Sequence, residues 1–252
     1  MIELYKNIDL VQIKIAAGVD EFAFPKNVDW ATKKIDKILL CAPKNACVSP
    51  IDGISNVLTL SDVSDLYFDL YDSADHEITY EAHYTNFLYT NNHPLRVDAV
   101  LNTQLSKLRF TTPPANDGVL LLYIYWGSEI KKDEDYEAPH RSKTIEVTLA
   151  AHEKKTFAEL ANFIHADGKA VRGIQFWGAE NAPAYITLRD YSLDHVFNNL
   201  HCVLAKPDMA GQYADDSTLF PMRFSPVDID MDYSFIRNAT ASANTQIITF
   251  EY

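Results

Sequence analysis

The sequence predicts an all-β protein of two tandem antiparallel β-sandwich domains, with one short helix in the second. Three observations predict it. Short runs rich in Val, Ile, Leu, Tyr and Phe recur about every 8 to 12 residues, separated by turn residues. Several of these runs alternate apolar and polar positions, the pattern of a strand with one wet face. The chain also carries one plan twice: the closing stretch Pro221 to Tyr252 reads like Pro94 to Trp126, each an entry proline, a strand, a turn-rich linker and a closing apolar run. Each stretch is expected to form the last hairpin of its domain.

Composition sets the bounds. At 252 residues the chain has room for two domains, each near the commonest domain size of about 100 to 150 residues. Hydrophobic residues make up 47% and aromatics 12% of the chain, enough to build packed cores with a lean towards strands. The formal net charge of −13 repels phosphate, which disfavours a general nucleic-acid-binding role. It favours docking on a basic surface. Cys41, Cys47 and Cys202 lack metal-ligand spacing and read as small buried hydrophobes in a reducing compartment. The opening residues MIELYKNIDLVQIKIAAG do not have a basic start followed by an unbroken apolar core, so they do not read as a signal peptide. The sequon Asn238-Ala239-Thr240 is therefore expected to stay unmodified.

Four segments follow: an N-terminal segment 1–18, a first sandwich 19–127, a charged linker 128–143 and a second sandwich 144–252. In the first segment Val11 to Ile15 alternates cleanly. Glu21 to Pro25 is a short strand, and Lys26 to Thr32 a loop or single helical turn. Ile35 to Cys41 reads as a strand that becomes more buried along its length. Val57 to Leu60, Leu66 to Tyr71 and Ile78 to Tyr84 are further strands. The last of these places Ile78, Tyr80, Ala82 and Tyr84 on one face by its period of two. Phe87 to Tyr89, Leu95 to Leu101, Leu105 to Phe110 and Val119 to Trp126 complete the domain.

In the linker, nine of 16 residues are charged and Pro139 interrupts them. The second domain opens on Thr144 to Leu149. Thr156 then starts the helix, with Glu159 closing a capping box, Phe157, Leu160, Ala161 and Ile164 on one face, and Gly168 as the stop. Val171 to Trp177 and Ala184 to Leu188 are strands, Asp194 to Leu200 a helical turn, and Cys202 to Leu204 a short strand.

Four landmarks align the halves. Ile35–Leu40 matches Val171–Phe176 at an offset of 136, and Leu58–Asp62 matches Ile186–Asp190 at 128. Val97-Asp98 matches Ile229-Asp230 at 132, and Leu120–Tyr125 matches Ile247–Tyr252 at 127. Loop-length differences can absorb that drift, and four matches in one order indicate a duplication.

Candidate chemistry is sparse. Asp228, Asp230 and Asp232 alternate, so in a strand they share a face and could hold calcium. The run lacks the Gly and Glu of an EF-hand, and a solvated outer face explains it as well. The eight histidines include no H-x-H or H-x-x-x-H, and no nucleophile elbow, phosphate loop or dinucleotide fingerprint occurs. The acid pairs Asp69 with Asp72, and Asp215 with Asp216, could serve a glycosidase on a sandwich scaffold. In a chain with 35 acidic residues such pairs arise by chance. The tyrosine-rich run Tyr67 to Tyr89 could stack sugars. No catalytic, cofactor or metal residue is assigned.

Two similar β-sandwiches in tandem, without a catalytic motif, resemble the double jelly-roll plan of viral capsid proteins. The resemblance covers about residues 19–252 and is one of plan. In that family each roll is an eight-stranded sandwich of two four-stranded sheets, and rolls standing side by side let three copies make a pseudo-hexagonal capsomer. The repeat Leu58-Thr59-Leu60-Ser61-Asp62 and Ile186-Thr187-Leu188-Arg189-Asp190, with Phe220-Pro221 and Ile236-Arg237-Asn238-Ala239, is similar to small β-rich virion proteins of tailed bacteriophages, including auxiliary capsid proteins of crAss-like phages. The resemblance implies a virion structural protein, assembled in a host cytoplasm and not an enzyme. Its partners would be other capsid proteins and itself, with no cofactor, no direct nucleic acid and no membrane. The other class the residues allow is a carbohydrate-binding tandem module.

Overall fold

The computed structural model describes the chain except residues 1, 5–6, 27–29, 89–94, 128, 132–141, 161–169, 177–182, 193–194, 206–221 and 252. It divides into two compact units, Asp9–Gly127 and Ser128–Tyr252 with Met1–Ile8. We call them the N-terminal and C-terminal rolls. Strand β1 (Ile2–Leu4) belongs to the latter.

The N-terminal roll uses β2 (Asn7–Ile15), β3 (Glu21–Ala23), β4 (Ile35–Cys41), β5 (Leu66–Tyr71), β6 (Glu77–His83), β7 (Arg96–Ala99), β8 (Lys107–Phe110) and β9 (Gly118–Trp126). One layer runs β2-β9-β4-β7 and the other β3-β8-β5-β6. Inward residues meet between the layers: Ile38, Leu40, Leu122 and Ile124 from one, Phe68, Leu70, Leu108 and Phe110 from the other. Both faces of β4 and β9 are buried, since Leu39, Leu121 and Tyr123 are also shielded. Hence their sequences are unbroken apolar runs, without the alternation of a half-wet strand.

The C-terminal roll uses β10 (Glu129–Lys131), β11 (Ser142–Leu149), β12 (Lys154–Thr156), β13 (Ala170–Phe176), β14 (Ala184–Arg189), β15 (His195–His201), β16 (Met222–Asp228), β17 (Phe235–Asn238) and β18 (Asn244–Glu251). Its layers run β11-β18-β13-β16 and β12-β17-β14-β15, with β1 paired to β10 outside them. Strand for strand, this is the order of the N-terminal roll. Each is an eight-stranded jelly roll.

The duplication extends to irregularities that no generic sandwich requires. In β6 an extra residue sits between Ala82 and Thr79, which face Phe68 and Leu70. In β15 the same bulge lies between Leu200 and Phe197, which face Ile186 and Leu188. Glu81 and Asn199 take positive φ, 52° and 49°, the backbone of such bulges. Each bulge N–H donates to the side chain between the facing pair, Glu81 to Asp69 Oδ1 at 2.6 Å and Asn199 to Thr187 Oγ1 at 3.0 Å. A buried serine closes the next corner in both: the Tyr71 N–H donates to Ser106 Oγ, and the Arg189 N–H to Ser234 Oγ, each at 3.0 Å.

These pairings correct the sequence alignment. The match of β4 to β13 at 136 stands, because Ile38 faces Ile124 as Ile174 faces Phe250. That pairing sets β9 to β18 at 126. The offset of 127 would move every side chain to the other face. The counterpart of Ile186–Asp190 is Phe68–Asp72, not Leu58–Asp62. Ile229 bridges Asp190 as Leu101 bridges Asp72, so it matches Leu101 rather than Val97. The expected closing hairpins are absent too. In each roll the last three strands alternate between layers, β16 beside β13, β17 beside β14 and β18 between β11 and β13.

Other differences are local. Val57–Leu60 is no strand: Asp62 accepts from the N–H and Oγ1 of Thr59 at 2.8 and 2.7 Å, and this turn stops the extension. Where a helical turn is expected over 194–200, residues 195–200 belong to β15, and Asp194 lies outside the described residues. The bulge of β15 sets the inward Phe197 and Leu200 three positions apart, which imitates helical spacing. The N-terminal segment 1–18 is not separate from the rolls, for Val11, Ile13 and Ile15 of β2 are core residues. At the expected helix, Glu159 accepts from the Thr156 N–H at 2.7 Å as a capping box would. The described part, Phe157–Leu160, is a turn, and Ala161 to Gly168 lie outside the described residues. Of the charged linker, Glu129–Lys131 forms β10 and Ser142 opens β11, while 132–141 lie outside the described residues.

Candidate functional site

The three aspartates do not share a strand face. β16 ends at Asp228, which is exposed. Asp230 is buried at a corner, where its Oδ1 accepts the N–H groups of Asp232 and Tyr233 at 3.0 and 3.3 Å. Asn102 does the same in the other roll, accepting from Gln104 and Leu105 at 2.9 and 3.3 Å. An amide and a carboxylate serve equally because the corner needs only an acceptor. The calcium alternative thus loses its geometry. Among the described residues no three His, Cys, Asp or Glu side chains group as a metal site.

The paired acids are also engaged. Asp72 accepts from the N–H groups of Ala74 and His76 at 2.8 and 2.9 Å. The His76 N–H above all holds its carboxyl below the usual carboxylate range, the reverse of what a general acid needs. Asp215 and Asp216 lie outside the described residues. Cys41, Cys47 and Cys202 are all buried, as expected.

The tyrosine run does not build one platform. The bulge in β6 breaks its alternation, so Tyr80 is 57% exposed while Thr79 is buried. Tyr84, expected on the same face, packs against the core. What the bulge assembles instead is a charged and aromatic patch on the outward side of β8, β5 and β6. Arg109 reaches Glu81 at 2.8 Å and Asp69 at 3.5 Å, and its guanidinium lies 5.8 Å from the centre of the Tyr80 ring. Tyr67 and His83 meet edge-on at 5.2 Å beside it. Sequence reasoning missed this patch because Asp69, Glu81 and Arg109 sit on three strands. Their outward positions in alternating runs were the available signal. Asp69→Ala is expected to cost about 1 to 2 kcal/mol by orphaning the bulge N–H. Asp69→Thr, which copies Thr187, should recover most of it in urea unfolding.

A second ordered surface is the loop after β4. Asp52 accepts from Ser55 Oγ at 2.6 Å, from the N–H groups of Ile54 and Ser55 at 3.1 Å, and from Gln12 Nε2 at 3.5 Å. Ser49 Oγ donates to the Oε1 of the same glutamine. The Ser55 hydroxyl foremost pulls the Asp52 pKa to about 2. Since the folded value is the lower one, the loop gains stability above the unfolded value near 4 and loses it as pH falls towards 2. The protection of the Ile54 and Ser55 amides, measured against their intrinsic exchange rates, should therefore fall across that window, and Asp52→Asn should flatten the change.

No protein-family model matches the chain, and no curated protein matches it. Two solved structures are similar at low levels. One is the STIV MCP, a viral major capsid protein, at 9% identity over 97% of this chain and 95% of that one, with a TM-score of 0.24. The other is a cupin 2 conserved barrel domain protein from Leptotrichia buccalis, at 7% identity over 96% and 89%, with a TM-score of 0.16. Similarity at this level carries no argument about function. The jelly-roll description rests on the strand order within each roll.

Proposed function

We propose that the chain is a virion structural protein, a capsid or capsid-decorating subunit of a bacteriophage, working through protein–protein contacts and not through turnover. The observation that supports it best is the duplicated jelly roll, two units with one strand order and the same bulges. A tandem of this kind supplies two similar rigid bodies per chain, the plan of the double jelly-roll capsid proteins. Its partners are copies of itself and other shell proteins, met in a host cytoplasm during assembly. The acidic surface suits a basic patch on a shell and keeps the chain from binding nucleic acid directly.

Size-exclusion chromatography with light scattering, followed by electron microscopy of the concentrated protein, tests this reading. Oligomers or shell-like assemblies, alone or with candidate shell proteins, are the expected result. A strict monomer that joins no particle overturns it. The carbohydrate-binding alternative keeps one observation in its favour, the exposed ring of Tyr80. It predicts glycan-array hits that Tyr80→Ala abolishes.

A further inference from the structure

The duplication allows one strand edge to be compared with its own copy. Strands β6 and β15 are equivalent residue by residue. Tyr185 faces His201 as Tyr67 faces His83, with the rings edge-on at 5.0 and 5.2 Å. The first pair is buried and the second partly open to solvent. Leu188 faces Phe197 as Leu70 faces Thr79, so Thr79 is the counterpart of Phe197. One edge of each strand is bonded to its inner neighbour, β15 to β14 and β6 to β5. On the other edge of β15 this chain's own backbone adds in parallel. Ile8 pairs there with Phe197, and Ile8 belongs to the same compact unit. Strand β6 ends its layer, and among the described residues no strand or isolated bridge lies along its other edge. One edge, at one place in one fold, is filled in one roll and open in the other.

We infer that the open edge of β6 is a strand-addition site for an extended, basic segment of a partner protein, seated in parallel beside Thr79. The edge itself fixes the form of the occupant. A strand edge carries a row of backbone N–H and C=O groups, and only another extended backbone meets donors and acceptors at that spacing. Natural edges are blunted by proline, lysine or a bulge. Between Glu77 and His83 there is neither proline nor lysine. The bulge at Glu81 does not close the edge, because β15 has the same bulge and still takes Ile8 at Phe197. Charge fixes the side chains of the occupant. Glu77 and Glu81 are exposed on β6, and Asp75 on the turn before it, within a chain of net charge −13. Arg109 answers Glu81, so Glu77 and Asp75 carry most of the attraction. Lysine or arginine at alternate positions of the added segment complements this edge. A second copy of this chain, with the same acidic charge, does not. Asp69 pins the bulge through the Glu81 N–H, so the edge is ordered before contact, which lowers the ordering cost of binding.

The inference rests on the protein–protein role proposed above and names the form of one partner. The test uses the full chain and labelled peptides of about ten residues, followed by fluorescence anisotropy. One peptide alternates Lys and Val, one alternates Glu and Val, and one is the Lys–Val peptide with proline at every second Val. The Lys–Val peptide is expected to bind. The other two should bind at least about tenfold more weakly, since one has the wrong charge and the other lacks backbone donors. Hydrogen exchange of the amides of residues 77–79 should slow with the Lys–Val peptide. Glu77→Lys, at an exposed position, should weaken that peptide about fivefold with Tm unchanged. Equal binding of the proline peptide, or slowed exchange elsewhere than β6, makes the contact one of charge alone and overturns the site, as does no binding at all. Assembly is read separately by light scattering. Particles that form while no peptide binds remove the edge and leave the virion reading standing. Binding at the edge by a chain that joins no particle does the reverse.

Discussion

Asn238→Ala is expected to lower the stability of the C-terminal roll by about 3 kcal/mol, a shift of roughly 10 °C in its Tm. The side chain is fully buried and every polar atom is used. Its Nδ2 donates to the carbonyls of Ala150 and Ser242 at 2.7 and 2.8 Å. Its Oδ1 accepts from the Thr240 N–H and hydroxyl, both at 2.8 Å, and from Asn244 Nδ2 at 2.6 Å. Alanine leaves these groups facing a dry space, and the penalty for orphaned buried polar groups exceeds the net value of the bonds when made. Asn238→Asp discriminates further. It keeps the acceptor but aims a carboxylate at two carbonyl oxygens, so it should be no better than alanine near neutral pH and should improve on acidification. Urea unfolding from pH 4 to 8 measures both. The same bonds explain why the sequon at Asn238 has no free amide in the folded protein.

Phe68→Ala is the second large effect, an expected loss of about 3 to 5 kcal/mol in the N-terminal roll. Phe68 is fully buried between the layers, its ring centre 4.1 Å from that of Phe87. Strands β6 and β8 hold the backbone on both sides, so the cavity cannot collapse easily, and unrelieved cavities set the upper end of such costs. Phe68→Ile copies the counterpart Ile186 and keeps a branched side chain suited to a strand. It should lose about 1 to 2 kcal/mol, because Phe87 forfeits its partner. Equilibrium denaturation with an unchanged m value separates this from a change in the unfolded state. A loss below about 1 kcal/mol for the alanine variant would mean that the layers close over the gap.

Much of the fold was legible without coordinates. The bounds of β4 and β5 follow from apolar runs ended by turn residues, and Ile35–Cys41 matches its expected range in full. The duplication was legible as well, in the match of β4 to β13. What failed did so for one recurrent reason. A bulge adds a residue that leaves no mark on composition, and it reverses the face of everything beyond it. It moved Tyr80 away from Tyr84, gave Phe197 and Leu200 helical spacing, and spoiled a tyrosine platform that strict alternation would have built. Turn chemistry had the same effect at Asp230 and Asp62, where carboxylates close corners that the sequence pattern read as strand.

The sequence by itself determined that this chain is all β, that it is doubled, and that it carries no common catalytic signature. Those properties live in local composition and spacing, and each residue reports them alone. Only the tertiary structure decided the order of strands in each layer, the pairing of Tyr67 with His83 and Tyr185 with His201, and which of those equivalent pairs is buried. Burial of a face depends on what packs over it, and two nearly identical local patterns carry no trace of that difference.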